Sequence, residues 1–146
     1  MGTYEGLSLS YIFPICKRNG NTIYAIDMEY HPLLEAHLML WNNDNDTAIM
    51  ITRTSEQAAE IFDSESLDMV FIDANHDFEF IYQDIKTWSH KLKIGGILCG
   101  HDYNKPHFGV IEAVNALIGK GNIQVAGTFW WITHTKELAN KIRSAA

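Results

Sequence analysis

Two apolar runs that each end on an acid constrain the fold of this chain more than any other feature. The run LDMVFI stops on Asp73, and the run GILCG stops on His101 and Asp102. Between them, residues 78–92 carry apolar residues close to helical spacing, over a length that suits a crossover helix. Right-handed strand-helix-strand units make parallel neighbours, and open parallel sheets bind ligands beyond the carboxyl ends of their strands. The sequence therefore predicts that Asp73, His76, His101 and Asp102 converge on one crevice.

Strand-like and helix-like segments also alternate along the rest of the chain, which is typical of a sheet with helices on both faces. The expected helices cover residues 7–17, 32–41, 55–62, 78–92, 110–118 and 136–143, and the expected strands cover 22–26, 48–51, 67–72, 96–100, 123–126 and 129–133. Pro14 should kink or shorten the first helix, and Gly95-Gly96 should form a turn. The pattern predicts a Rossmann-like three-layer α/β sandwich with a mostly parallel sheet and a C-terminal antiparallel hairpin.

Length and charge narrow the function classes. A chain of 146 residues suits a single domain, residues 1–146. Eighteen acidic against eleven basic residues give a net charge of -7, which argues against a nucleic-acid partner and favours a small-molecule substrate. Cys16 and Cys99 have no motif spacing, so we expect reduced thiols. No apolar run approaches the ~20 residues of a membrane span and no targeting segment is evident, so a cytoplasmic protein without a membrane partner is expected.

Three strings together resemble a known family. They are FIDANHDF at residues 71–78, LKIGG at 92–96 and GHDY at 100–103. Their combination resembles the class I S-adenosylmethionine-dependent methyltransferases, and within these the small O-methyltransferases of the macrocin type. The resemblance spans nearly the whole chain and implies methyl transfer to a hydroxyl of a sugar, polyketide or similar small molecule. A nicotinamide-dependent oxidoreductase is disfavoured, because the opening GTYEG lacks the Gly-x-Gly-x-x-Gly phosphate turn.

The first residues are similar to the family's glycine loop, which implies that they approach the methionine part of the cofactor. Asp27 ends the second expected strand of the family pattern, about 20 residues on, where a carboxylate can accept hydrogen bonds from both ribose hydroxyls. Glu29 is a rival for that role. Family analogy implies that the turn after the third strand lies near the adenine. The expected cofactor-binding residues are Gly2, Thr3, Tyr4, Glu5, Gly6, Ser8, Asp27, Met28, Thr54, Ser55 and Asp73.

Methyl transfer needs an aligned acceptor and one base, and a metal can assist or replace that base. Metal-dependent relatives imply that Asp73 and Asp102 hold Mg²⁺, which prefers such oxygen ligands. Two imidazoles beside them would instead favour zinc, manganese or iron, or one could serve as the general base. We expect catalytic roles for His76, His101 and Asp102, and metal ligation by Asp73, His101 and Asp102. The loop with Tyr103, Asn104 and His107 should roof the acceptor pocket.

One departure concerns the first strand of the family, which lies in the middle of the sheet and precedes the glycine loop. Here the chain begins at Met1-Gly2, so that strand is missing. Its loss would leave unpaired backbone groups that each cost about 1–3 kcal/mol. The neighbouring strands pair directly, or another chain supplies the strand in a homodimer, or the sequence is N-terminally incomplete, which we favour. The alternative function is a non-catalytic binding or oligomerisation module.

Overall fold

A computed structural model describes residues 1–41 and 47–145 of the chain, as two compact units, Met1–Ala58 and Ala59–Ala146. The polar turn that the sequence predicts at residues 42–46 lies outside the described residues. The helices are α1 (Leu7–Asn19), α2 (Pro32–Trp41), α3 (Ser55–Ala59), α4 (Phe78–Ser89), α5 (Phe108–Leu117) and α6 (Lys136–Ser144), with a 3-10 turn at Lys105–His107. The strands are β1 (Ile23–Asp27), β2 (Ala48–Thr52), β3 (Leu67–Ile72), β4 (Leu92–Gly100), β5 (Gln124–Ala126) and β6 (Phe129–Thr133).

The first unit contains a parallel pair of strands, in which Asp27 of β1 lies opposite Thr52 of β2. Its core consists of Leu9, Ala25 and Leu34, with Ile23, Leu38, Trp41 and Met50 packed around them. Helix α1 continues past Pro14 to Asn19, so the predicted shortening of this helix is wrong. Pro14 is exposed, while Leu9 and Phe13 are buried, and their packing sustains the helix across the missing hydrogen bond.

The second unit contains four strands in the order β3-β4-β6-β5. Strands β3 and β4 are parallel, whereas β4 with β6 and β5 with β6 are antiparallel, which confirms the predicted C-terminal hairpin. Trp130 and Trp131 lie on opposite faces of β6, as the alternation of a strand requires, and Trp130 is buried while Trp131 is only half-buried. The largest fully buried side chains of this unit are Ile72, Ile85, Trp88, Leu92, Leu98, Val110, Val114, Leu117, Ile118, Trp130 and Ile142.

The Gly95-Gly96 segment is part of a strand, so the turn predicted there is wrong. Strand β4 begins at Leu92, and its register against β3 shifts between Leu67 and Met69. Gly95 has φ of 91°, and a Cβ on Gly96 would lie 2.9 Å from the Asp68 carbonyl oxygen. The two glycines thus form an irregularity within the strand. Helix α4 correspondingly ends at Ser89, earlier than predicted.

The strand pairing is described within each unit separately. Among residues 1–41 and 47–145, β1 pairs with β2 and β3 pairs with β4, in separate sheets. The three expectations for the strand that precedes the glycine loop stay predictions. Gly2 donates its N–H to the Ile26 carbonyl oxygen at 3.0 Å, so the first residues run beside β1.

Both cysteines are free thiols, as expected. Cys99 lies buried in β4, and its Sγ lies 3.3 Å from the Val70 carbonyl oxygen. Burial raises the pKa of the Cys99 thiol to about 12, so this residue is a packing group and not a nucleophile. None of the helices in the described residues combines the length and the apolar character that crossing a membrane requires.

Candidate functional site

The glycine loop of the first unit turns tightly through three left-handed residues. Gly2, Tyr4 and Gly6 have φ values of 73°, 45° and 88°. A Cβ on Gly6 would lie 2.8 Å from Cδ1 of Leu34, so glycine is needed both for its φ and for the approach of the loop to α2. Helix α1 starts directly after Gly6, with no acidic residue in its first turn. This arrangement leaves the positive end of α1 available to an anion such as a carboxylate.

Asp27 holds the glycine loop at the carboxyl end of β1. Its Oδ2 accepts the Tyr4 N–H at 2.9 Å, and its Oδ1 accepts the Glu29 N–H at 3.3 Å. A carboxylate offers about four acceptor sites, so two remain for hydroxyl donors. The rival residue Glu29 is exposed and follows the strand end by two positions. The geometry therefore favours Asp27 over Glu29 as the acid that accepts hydrogen bonds from a ligand.

The turn after β2 lies beside the same strand end. Arg53 donates its N–H to the Asp27 carbonyl oxygen at 2.9 Å. Thr54 Oγ1 accepts the Gln57 N–H at 3.3 Å, as an N-cap of α3 does. Ser55 Oγ lies 3.1 Å from the Met1 Sδ. The structure thus brings the predicted adenine turn, Asp27 and the glycine loop together.

The remaining predicted cofactor residues of this unit lie around the same loop. Thr3 Oγ1 donates to the Ile26 carbonyl oxygen at 3.2 Å. The Glu5 carboxylate lies 3.6 Å from His31 Nε2, and the Glu5 carbonyl oxygen lies 3.2 Å from His37 Nδ1. Ser8 lies in the first turn of α1, and Met28 is exposed after β1.

A second group of side chains lies at the carboxyl ends of β3 and β4, within the second unit. Ile72 lies opposite Gly100, and His101 donates its N–H to the Ile72 carbonyl oxygen at 3.2 Å. A Cβ on Gly100 would come within 2.5 Å of that same oxygen, so only glycine lets the two strand ends approach this closely. The close approach places Asp73 next to His101 and Asp102.

The four residues that the sequence predicts to converge do so. Asp102 Oδ2 lies 2.8 Å from His76 Nε2, and Asp102 Oδ1 lies 3.1 Å from His101 Nδ1. The Asp73 Oδ1 lies 3.9 Å from the same His101 nitrogen. The other ring nitrogen of His101 contacts Thr128 Oγ1 at 2.6 Å, which fixes the orientation of the imidazole. We call Asp73, His76, His101, Asp102 and His107 the histidine-aspartate cluster.

Asp102 is the centre of the histidine-aspartate cluster and has an unusual backbone. Its φ of 58° lies in the left-handed region, which aspartate adopts more readily than most residues. Partial burial alone would raise the pKa of Asp102, but the charge of His101 and hydrogen bonds from His76 and His101 together lower it. Asp102 is therefore a carboxylate at neutral pH and can serve as an acceptor or a metal ligand.

Sequence reasoning underestimated His107 and missed Thr128. His107 Nε2 lies 3.9 Å from Asp102 Oδ1, and its ring centroid lies 4.2 Å from that of His76. Thr128 follows Gly127 in the turn between β5 and β6, and no local spacing links it to His101. Tyr103, in contrast, points its hydroxyl at Asn115, to which it donates a hydrogen bond of 2.9 Å.

Two overlapping sets of side chains have the chemistry of metal ligands. Asp73, His101 and Asp102 each offer one ligand atom, and these atoms lie within 4.8 Å of one another. The same holds for His76, Asp102 and His107. The first set, with two carboxylates and one imidazole, fits a hard or intermediate divalent cation.

Comparison with known proteins identifies the family. The family model described as a methyltransferase domain matches residues 1–103. This chain belongs to the methyltransferase domain family. A search of curated proteins finds no match. The family resemblance inferred from the sequence is therefore confirmed, as is the Rossmann-like α/β fold class.

Solved methyltransferase structures share the fold at low sequence identity. CalS11, a TDP-rhamnose 3'-O-methyltransferase of calicheamicin biosynthesis, is 10% identical with a TM-score of 0.70. The match covers 90% of this chain and 68% of the CalS11 chain. A SAM-dependent O-methyltransferase from Thermotoga maritima is 13% identical with a TM-score of 0.66. The match covers 92% of this chain and 57% of the Thermotoga chain. An rRNA methylase from Streptococcus thermophilus is 14% identical with a TM-score of 0.65. The match covers 92% of this chain and 83% of the Streptococcus chain. The chain thus spans less than two thirds of the Thermotoga protein.

Proposed function

We propose that this methyltransferase-family chain transfers the methyl group of S-adenosylmethionine to a hydroxyl of a small molecule, with a divalent metal at Asp73, His101 and Asp102. The observation that carries the proposal is the meeting of two strand-end carboxylates with His76 and His101 in one cluster. Family membership supports methyl transfer, and the sugar O-methyltransferase CalS11 among the structural neighbours supports a hydroxyl acceptor.

The first unit is proposed to bind the cofactor. The start of α1 would receive the methionine carboxylate, because the helix end is positive and carries no acid in its first turn. Asp27 would accept hydrogen bonds from the ribose hydroxyls with its remaining lone pairs. Met28, Thr54 and Ser55 would adjoin the adenosine, and Asp73 remains a predicted cofactor contact.

The proposed reaction is a nucleophilic substitution at the methyl carbon. When bound, the cofactor supplies an electrophilic methyl group, and the metal lowers the pKa of the acceptor hydroxyl. The acceptor oxygen would bond to the transferred methyl carbon as the bond of that carbon to sulfur breaks, with the electron pair remaining on sulfur. The products are the methyl ether, S-adenosylhomocysteine and one proton, which the protein must take up.

His76 is the residue that we assign to take up this proton. Asp102 Oδ2 accepts the His76 Nε2–H, and this hydrogen bond leaves Nδ1 as the basic nitrogen of the neutral ring. The His76 side chain is 40% exposed, whereas that of Asp102 is 18% exposed, so the imidazole is the accessible member of the pair. Asp102 orients the ring and stabilises the imidazolium that forms.

The acceptor is proposed to be a small molecule and not RNA, in a cytoplasmic protein that can form a homodimer. The net charge of -7 opposes binding to a phosphate backbone. An rRNA methylase is nevertheless among the structural neighbours. Methylation of rRNA by this chain at physiological salt would overturn the acceptor assignment.

Calorimetric titration with S-adenosylhomocysteine tests the cofactor site. We expect binding by the unmodified chain and a loss of about 10–100-fold in affinity for Asp27→Asn, because an amide cannot replace a carboxylate that accepts two hydroxyl donors. Glu29→Gln is the matched control and should bind as the unmodified chain does. Equal affinity of Asp27→Asn and the unmodified chain would refute the ribose assignment. A folded chain that binds no S-adenosylhomocysteine would favour the non-catalytic binding module.

A further inference from the structure

We propose that His76, Asp102 and His107 form a second metal site, distinct from Asp73, His101 and Asp102, that binds imidazole-preferring dications such as Zn²⁺. Its occupation would withdraw His76 from the proton transfer described above. The zinc site itself depends only on the geometry of the second unit. Its effect on catalysis depends on the proposed function.

The three ligand atoms are close to the spacing that a metal imposes. His76 Nε2 lies 2.8 Å from Asp102 Oδ2, and His107 Nε2 lies 3.9 Å from Asp102 Oδ1. Zinc bonds of about 2.0–2.2 Å in tetrahedral geometry place two ligand atoms roughly 3.4 Å apart. The two histidines contact different oxygens of the Asp102 carboxylate. With one ligand atom from each residue, the three atoms lie within 4.8 Å of one another, so closing them onto one ion shortens these spacings by at most about 1.4 Å. The two imidazoles are 40% and 34% exposed, so their rings have room for this adjustment.

The backbone holds His107 at this position before any metal arrives. Asn104 donates its N–H to the Asp102 carbonyl oxygen at 2.8 Å, and His107 donates its N–H to the Asn104 carbonyl oxygen at 3.0 Å. These two hydrogen bonds span the whole connection between the two ligands. A short, hydrogen-bonded connection reduces the entropy that a metal site loses when it forms.

Gly109 brings the start of α5 against the backbone of the His76 loop. A Cβ on Gly109 would lie 2.4 Å from the His76 carbonyl oxygen and 2.6 Å from the Phe78 nitrogen. Because Gly109 has no side chain, this backbone contact can form. The ring centroids of His76 and His107 then lie 4.2 Å apart, with the ring planes tilted by 38°. The spacing of the two histidines is consequently set by packing between a loop and a helix.

The ligand chemistry selects the ion. Two neutral imidazoles and one carboxylate favour Zn²⁺, Co²⁺ or Ni²⁺, whereas Mg²⁺ prefers oxygen ligands. The other set, with its two carboxylates, is the better match for Mg²⁺. Asp102 belongs to both sets, so an ion at one set influences the affinity of the other.

Titration of the full chain with ZnCl₂ by calorimetry, and with CoCl₂ by visible absorption, tests the second site. We expect one Zn²⁺ to bind in the presence of excess Mg²⁺, and His107→Ala to weaken zinc binding at least tenfold with loss of the cobalt spectrum. His90→Gln is the matched control, because His90 caps the opposite end of α4 from the His76 loop, and it should bind zinc as the unmodified chain does.

Asp73→Asn separates the two sets, since Asp73 belongs only to the first. Zinc binding should survive this substitution while Mg²⁺ binding weakens. If His107→Ala binds zinc as tightly as the unmodified chain, or if Asp73→Asn weakens zinc as much as His107→Ala does, the second site is refuted. Titration of the unmodified chain and of His107→Ala with S-adenosylhomocysteine reports separately on the proposed function, because the proposed cofactor contacts are unchanged in both samples.

Discussion

Gly109 offers the sharpest test of how the histidine-aspartate cluster is built. In Gly109→Ala the new Cβ would approach the His76 carbonyl oxygen to 2.4 Å, whereas ordinary contact begins at 3.4 Å. All three nearest atoms belong to the backbone of residues 76–78 and cannot rotate away. The loop and helix α5 must separate by about 1 Å, and overpacking of this kind costs about 1–3 kcal/mol. Alanine recovers up to ~1 kcal/mol of helix propensity, so a net loss of about 1–2 kcal/mol is expected.

Urea unfolding, followed by tryptophan fluorescence and circular dichroism, measures this loss. With a slope of about 1–2 kcal/mol per molar urea, the midpoint of Gly109→Ala should fall by about 1 M. Gly121→Ala is the matched control, because a Cβ there meets nothing within 4 Å and φ is not left-handed. It should unfold within about 0.5 kcal/mol of the unmodified chain. If Gly109→Ala is as stable as Gly121→Ala, the close approach of α5 to the His76 loop is wrong.

Two further predictions concern titratable groups of the second unit. Burial, followed by the charges of Arg143 and other nearby cations, lowers the pKa of His90 in the folded chain. The contribution of His90 to stability is therefore complete above 6.5, its pKa in the unfolded chain, and is lost as pH falls towards its pKa in the folded chain. His90→Gln should accordingly lose less stability than the unmodified chain between pH 7.5 and pH 5.5 in urea unfolding, and an equal loss would contradict the assigned shift. In the native protein, mass spectrometry after brief iodoacetamide treatment should find Cys16 alkylated and Cys99 unmodified, because burial raises the pKa of Cys99 to about 12. Equal labelling of both thiols would show that β4 opens on the timescale of labelling.

The acids at the strand ends could be predicted from the sequence because the information is local. An apolar run that stops on Asp73 or Asp102 gives both the strand and the position of the carboxylate, and parallel pairing then brings the two together. The same holds for Asp27, which lies directly at the end of β1. To predict such a strand-end acid, one needs only the residue period of the strand and the direction of the neighbouring strands.

The contacts of His107 and Thr128 could not be predicted in this way. Thr128 reaches His101 because the β5–β6 hairpin returns antiparallel to β4, and the identity of the paired residues follows from register. His107 reaches Asp102 through a turn and through the packing of Gly109 on a distant loop. The irregularity of β4 at Gly95 could likewise not be predicted from the sequence, because a Gly-Gly pair more often forms a turn than part of a strand.

The backbone of Asp102 links the architecture of the cluster to its chemistry. A left-handed conformation is less favourable for aspartate than for glycine, although aspartate adopts it more readily than most residues do. The position nevertheless carries an aspartate that contacts His76 and His101 and lies near His107. A fold that needed only a tight turn after β4 would be more stable with glycine at this position. The strain at Asp102 is therefore best explained by what its carboxylate does for the three imidazoles around it.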